Sequence, residues 1–361
     1  MKPHYVIILL FTFFNGFAQQ LILETSLDAI VNETSGLLYL NNTLITHNDS
    51  GTTNQLYDID VSTGAITRTV TITNASNTDW EDLTHDGTYI YIGDFGNNTG
   101  DRIDLKVYRI SISDYFSNTS VTADIINFSY SNQIDFTSSP FATNFDAEGL
   151  IHYNNILYVF SKNWLDGKTN IYELSKIPGT YSISIVDTIL AQGLISGATY
   201  NALDNRILLC GYNFSGPFLI QLSEFNSGLF SNGSIVKTAV NMPTDYSPQI
   251  EAITPISANE YYVSAEENLP DASGLFSFNT STLSVSTYDS VSVSFYPNPA
   301  RQSITLSHDN CVTKIYAITG QMLINSSEKH IDVSDLTTGI YLIKIKGKDT
   351  VISTTKRLII Q

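Results

Sequence analysis

Five positions in this chain carry side chains whose types and spacing could do chemistry together. A Ser or Glu recurs, followed by Gly, Asp or Ala and then by the apolar start of a strand. The copies are Ser35-Gly36-Leu37, Glu81-Asp82-Leu83, Glu148-Gly149-Leu150, Ser196-Gly197-Ala198 and Glu251-Ala252-Ile253. If they are structurally equivalent, Ser35, Glu81, Glu148, Ser196 and Glu251 form one column of three carboxylates and two hydroxyls. Like charges that converge need a cation, a proton or water between them. Calcium suits the need, since it takes roughly six to eight oxygen ligands. The candidate metal ligands are Glu81, Glu148, Glu251 and Asp94, and Asp49, Asn163, Asn213 and Glu266 could add oxygens. The alternative is structural: acids in such places cap turns and accept backbone amides from neighbouring sheets.

The elements that must position the column are strands. Each copy is followed by a second strand, at 44–46, 89–92, 156–160, 207–210 and 261–263, ending in a polar turn. A third follows at 55–59, 106–110, 170–174, 218–220 and 274–278, and a fourth, such as 66–70, comes after it. The alternation of apolar and polar residues is that of half-buried strands. The copies start at 35, 81, 148, 196 and 251. Four strands every ~45 residues mark the blades of a β-propeller, whose innermost strands line a central channel. The fold is therefore expected to be all-β, with a propeller over residues 21–290. Five blades are expected. A sixth stays open if Leu21-Ile22-Leu23 begins a divergent blade instead of completing the last sheet. The long interval after residue 81 is expected to hold a loop insertion at about 113–144, and no segment has helical periodicity.

Compartment and charge narrow the function. Lys2, an apolar run from Tyr5 to Phe14 and the small residues of Gly16-Phe17-Ala18 read as a signal peptide over residues 1–18. That run is too short to span a bilayer, which needs ~20 helical residues. No later stretch is long and apolar enough, so no integral membrane segment is expected after cleavage. Cys210 and Cys311 fall in different expected domains and read as small core residues. From Val293 onward eight Lys and Arg face five Asp and Glu, a charge of +3; the 292 residues before carry ten against thirty, or −20. A body so acidic argues against nucleic acid and anionic membrane surfaces as partners.

The end of the chain reads as a small antiparallel sandwich, Ig-like in class, over residues 293–361. It holds Phe295-Tyr296-Pro297-Asn298-Pro299, an I-Y-x-x-x-G-Q hairpin at 315–321, a D-L-x-x-G-I-Y-L-I-K-I block at 335–345 and a terminal K-R-L-I-I at 356–360. These four motifs, in this order, resemble the type A C-terminal sorting domain of the type IX secretion system of Bacteroidetes. The resemblance implies export through that machinery as partner, and a secreted or outer cell-surface protein. In the body, Asp79-Trp80-Glu81-Asp82-Leu83 and Asp146-Ala147-Glu148-Gly149-Leu150 resemble blade openings of phytase-like and SdiA-regulated propellers, with Asp82 where that pattern has Gly.

No catalytic residue is identified, since elbow, zincin, Walker and dinucleotide motifs are all missing from the sequence. Residues 94–101 have the look of a calcium loop without its closing glutamate. Among the histidines, only His47 and His85 stand near expected loop mouths. The favoured reading is a non-enzymatic propeller that binds a ligand, glycan or protein. The second is a calcium-dependent hydrolase of phosphate or carboxylic esters.

Overall fold

The computed structural model describes residues 18–226, 228–243, 249–268, 271–282, 295–307, 311–317, 322–347 and 353–361. Residues 1–17 of the expected signal peptide, the polar stretch at 287–292 that reads as a short linker, and the turn at 319–321 lie outside them. The chain divides into two compact units, Met1–Leu283 and Ser284–Gln361.

The first unit is built of five antiparallel sheets. Blade 1 runs Thr34–Leu40, Thr43–Asn48, Gln55–Ile59 and Ile66–Ile72, and blade 2 runs Trp80–His85, Tyr89–Asp94, Lys106–Ser111 and Asp124–Tyr130. Blade 3 holds Ala147–Tyr153, Ile156–Ser161, Thr169–Leu174 and Ile185–Ile189; blade 4 holds Leu194–Asn201, Arg206–Asn213, Gly216–Ser223 and Ser234–Asn241. Blade 5 has three late strands, Ile250–Pro255, Glu260–Ala265 and Gly274–Asn279, and takes its fourth from the N-terminal segment Ile22–Ser26. The innermost strands pack in order, and the fifth returns to the first, so the ring closes with five blades.

Burial explains the stacking. A twisted sheet with two apolar faces must cover both, and here each face meets the next blade. Every interface has its own core. Trp80 and Ile45 meet between blades 1 and 2, and Tyr91 and Val159 between 2 and 3. Phe160 and Phe218 lie between 3 and 4, Cys210 and Tyr261 between 4 and 5, and Leu44 and Leu275 between 5 and 1. Outer edges are covered by borrowed strands: Ser120–Val121 adds in parallel to blade 1, Gly179–Ile183 to blade 2, and Gln19–Gln20 to blade 4. Such cover keeps unpaired backbone from templating aggregation.

The long interval differs from the expected insertion. Ile112–Ser117 is a single turn-and-a-half of α-helix, capped by the Ser111 side chain, and Asp124–Tyr130 is the regular fourth strand of blade 2. Only residues 131–146 form a true loop.

The second unit is a sandwich of a three-stranded sheet (Phe295–Tyr296, Ser303–Leu306, His330–Asp332) and a four-stranded sheet (Cys311–Ala317, Met322–Ser326, Gly339–Gly347, Ser353–Ile360). Ile304 and Ile331 of one sheet and Ile315, Ile343 and Leu358 of the other share its core. Both cysteines are buried.

Candidate functional site

The recurring column is a row of β-bulges. In every blade the innermost strand gains one residue on its partner. The extra residue falls between Thr34 and Leu37, Trp80 and Leu83, Ala147 and Gly149, Ile195 and Gly197, and Ile250 and Ala252. Ser35, Glu81, Glu148, Ser196 and Glu251 occupy these sites. A bulge re-aims its side chain and ends regular pairing, which suits a site at the mouth of a channel.

The five do not act alike. Ser35 Oγ donates to the Glu81 carbonyl at 2.8 Å, and Ser196 Oγ to the Ile250 carbonyl at 2.5 Å, so both hydroxyls tie one blade to the next. Glu148 accepts from Lys162 Nζ at 2.7 Å within the protein, both side chains buried. Glu251 accepts from Gln249 Nε2 at 2.7 Å. Glu81 gathers two acids from outside the column: its carboxylate, with those of Asp49 and Asp79, places one oxygen from each within 4.8 Å of the others, and it also shares a hydrogen bond with Glu148.

Asp94 goes elsewhere. Pairing sets Asn48, Asp94, Ser161, Gly211 and Ala265 opposite the residue before each bulge. The equivalents of Asp49 are therefore Phe95, Lys162, Tyr212 and Glu266. Asp94, Asn163 and Asn213 are one residue out of step with Asp49 or Glu266, and in a strand one residue is the opposite face. Asp94 pairs with Arg102 at 2.9 Å. Residues 94–101 form a hydrogen-bonded loop instead of a cation loop: Asn97 donates its N–H to Asp146 and accepts from Arg102 N. His47 is fully buried edge-on to Trp80, and burial pulls its pKa down to about 4. His85 lies at the other end of the blade 2 inner strand, where its neighbour Asp86 pairs with Lys176.

The electrostatics of the mouth follow from crowding. Burial, then Asp49 and Asp146, push Asp79 up to about 8. Burial raises Glu81 well above the carboxyl range, with Glu148, Asp49 and Asp79 adding to it. Glu251 rises to about 8 and Glu266 to about 7, burial being the main cause in each. Lys162 holds its proton against burial because Glu148 and Glu251 surround it. Gly96 makes the approach of the acids feasible: a Cβ there would lie against Glu81 Oε1 and 2.5 Å from Asp79 Oδ2.

Below the mouth, Asp82 plugs the channel. Its fully buried carboxylate accepts the N–H groups of Leu83 and Leu150 at 2.8 Å and of Ala198 at 3.1 Å, joining blades 2, 3 and 4. At the other blades this position is Gly36, Gly149, Gly197 and Ala252, small because inner strands approach closely there. Asp79, Asp146, Lys162, Tyr212 and Trp164 were not singled out as site residues on the sequence alone. The D-x-E spacing at 79–81 and 146–148 was the available signal for the two acids.

Residues 294–361 match the family described as the secretion system C-terminal sorting domain. The chain is thus an exported protein, secreted or held at the outer cell surface, with a β-propeller body. No curated protein matches it. Among solved structures it is similar to PorZ, a surface component of the type-IX secretion system of Porphyromonas gingivalis, at 14% identity over 91% of this chain with a TM-score of 0.34. This chain spans 45% of that protein's length. It is also similar to an exo-β-1,3-galactanase of Phanerochaete chrysosporium, at 11% identity over 96% of this chain and 94% of the other, with a TM-score of 0.45. An α-L-arabinofuranosidase of Podospora anserina shows 10% identity over 73% of this chain and 97% of the other, with a TM-score of 0.44. Among the described residues no helix is long and apolar enough to cross a membrane.

Proposed function

We propose that the exported propeller is a binding module whose axial mouth holds a divalent cation, calcium by donor chemistry, between Asp49, Asp79 and Glu81. The observation that carries this reading is the 4.8 Å spacing of their oxygens. Oxygens that share one calcium at about 2.4 Å lie at most about 4.8 Å apart, so the spacing of the three is compatible with one shared ion. Burial raises all three above ordinary carboxyl pKa values, and repulsion from neighbouring acids adds to it at Asp79 and Glu81, a cost that a bound cation offsets. Hard carboxylate donors, with no sulfur or imidazole in the set, select calcium or magnesium over softer metals. Glu148 and Glu251 lie beside this set and share the single cation of Lys162.

Calorimetric titration of the full chain with calcium tests the proposal. The expected result is one site per chain, lost in Glu81→Gln and retained in Asp94→Asn. Equal binding by wild type and Glu81→Gln would remove the reading. A water activated on the same ion would make the protein a hydrolase. A panel of phosphate and carboxylic esters, with and without chelator, separates that activity from binding alone.

A further inference from the structure

The rim beside the acids carries aromatic side chains that the cation does not need. Phe141 has φ +56°, the left-handed region that a bulky residue avoids. The residue is 61% exposed, so the unfavourable backbone is not offset by burial. Its N–H donates to Asn98 O at 2.8 Å, and its ring packs edge-on to Trp164 with centroids 4.9 Å apart. Residues held in such conformations gather at ligand clamps. Trp164 is fixed in turn, since its Nε1–H donates to Asp146 Oδ2 at 2.8 Å and its backbone N–H to Thr143 O at 3.1 Å. Lys162 Nζ lies 5.2 Å from the Trp164 ring centre and 5.5 Å from that of Tyr212. Leu165 follows Trp164 in sequence, Phe214 comes two residues after Tyr212, and both are exposed. Phe141 and Trp164 thus form an aromatic ledge beside Lys162, whose ammonium also faces the Tyr212 ring. The ledge meets the acids at Lys162, which bonds Glu148 and lies near enough to Asp49 to act on its charge.

We propose that this ledge is the subsite for a neutral saccharide whose hydroxyls reach the cation; the second half of this statement rests on the calcium reading above. A pyranose has a C–H face that lies on aromatic rings and a rim of hydroxyls that donate to carboxylates. Three carboxylates leave part of calcium's coordination, roughly six to eight oxygens, open to ligand hydroxyls. The net negative field repels uronic or sulfated sugars, which restricts the class to neutral glycans. An aromatic side chain with two rotatable bonds gives such a ligand a wide contact at small entropic cost.

The test is calorimetry on the full chain with cello-, xylo-, manno- and arabino-hexaose, each with calcium and with chelator. At least one is expected to bind, and Phe141→Gly is expected to weaken it about tenfold, the usual weight of an anchoring aromatic. The same substitution frees the left-handed backbone, so the thermal midpoint is expected to hold or rise. A purely structural Phe141 would instead lower the midpoint and leave affinity alone. No binding of any neutral hexaose, or full affinity in Phe141→Gly, would overturn the ledge. Calcium titration of Phe141→Gly is expected to match wild type. Saccharide binding that ignores the chelator sinks the cation's part and keeps the ledge.

Discussion

Asp82 offers the sharpest test of how the ring is held. Its two oxygens accept three backbone N–H groups, two of them from other blades, in a spot without solvent exposure. Asp82→Ala leaves those donors facing a small void. A buried donor without a partner costs about 1–3 kcal/mol, so the two inter-blade amides alone set a loss of about 2–6 kcal/mol. Burial also pushes the Asp82 carboxyl up, against the pull of its three donors, so removing a buried charge returns part of that loss. A net destabilisation of about 2–4 kcal/mol follows. For a body of this size each kcal/mol moves the midpoint by about 2–4 °C, giving a drop of at least about 4 °C. Asp82→Asn keeps one accepting oxygen and is expected to fall between wild type and Asp82→Ala. Thermal unfolding of the full chain by circular dichroism reads both. A midpoint for Asp82→Ala within about 1 °C of wild type, or Asn more damaging than Ala, would refute the idea that this carboxylate pins three blades together.

Three further expectations follow from the mouth and the tail. Gly96→Ala puts a methyl group where the Glu81 and Asp79 carboxylates sit, and is expected to abolish calcium heat while leaving the fold intact by circular dichroism. Asp79 and Glu251, near 8, and Glu266, near 7, are raised above the unfolded carboxyl values of about 4. Groups raised in this way stabilise fully at low pH and lose that contribution as pH climbs through their folded values. Metal-free stability is therefore expected to fall from about pH 5 to pH 8, with a shallower fall in Glu251→Gln; denaturant midpoints that are flat or rising over that range count against the crowded mouth. Deleting residues 293–361 is expected to leave the protein in the periplasm, and its normal appearance in the medium would defeat the sorting assignment.

Much of the body was legible because its signal is repeated. The bulge residue returns in each blade, with Gly or Ala after it in four of the five, and five imperfect copies reinforce one another where a single copy would not. The same logic found Ser35, Glu81, Glu148, Ser196 and Glu251 but could not say which would meet. Glu148 is taken by Lys162 and Glu251 by Gln249, and both partners lie in irregular segments where no period speaks. Asp94 shows a different limit. Its chemistry is right and its place is wrong by one residue, and only the pairing of Trp80 with Asp94 fixes that register. The stretch at 113–144 read as a loop because Ser, Asn and Asp dominate it; the alternation of Asp124–Tyr130 is present but bounded by polar neighbours. Phe141 carried no sequence signal, since its backbone angle is imposed by contacts with Asn98 and Trp164.

The clasp between Ile22–Ser26 and Gly274–Asn279 joins the two ends of the body across some 250 residues. The circle can therefore be locked only when the last sheet has been made, and an early nick near the start of the chain unlocks it. Trimming the first few residues of this segment would leave the Gly274–Asn279 backbone bare on one side, inviting a strand from a second molecule to take the empty seat. Integrity of the leading segment thus guards the whole wheel, though it contributes nothing to the mouth.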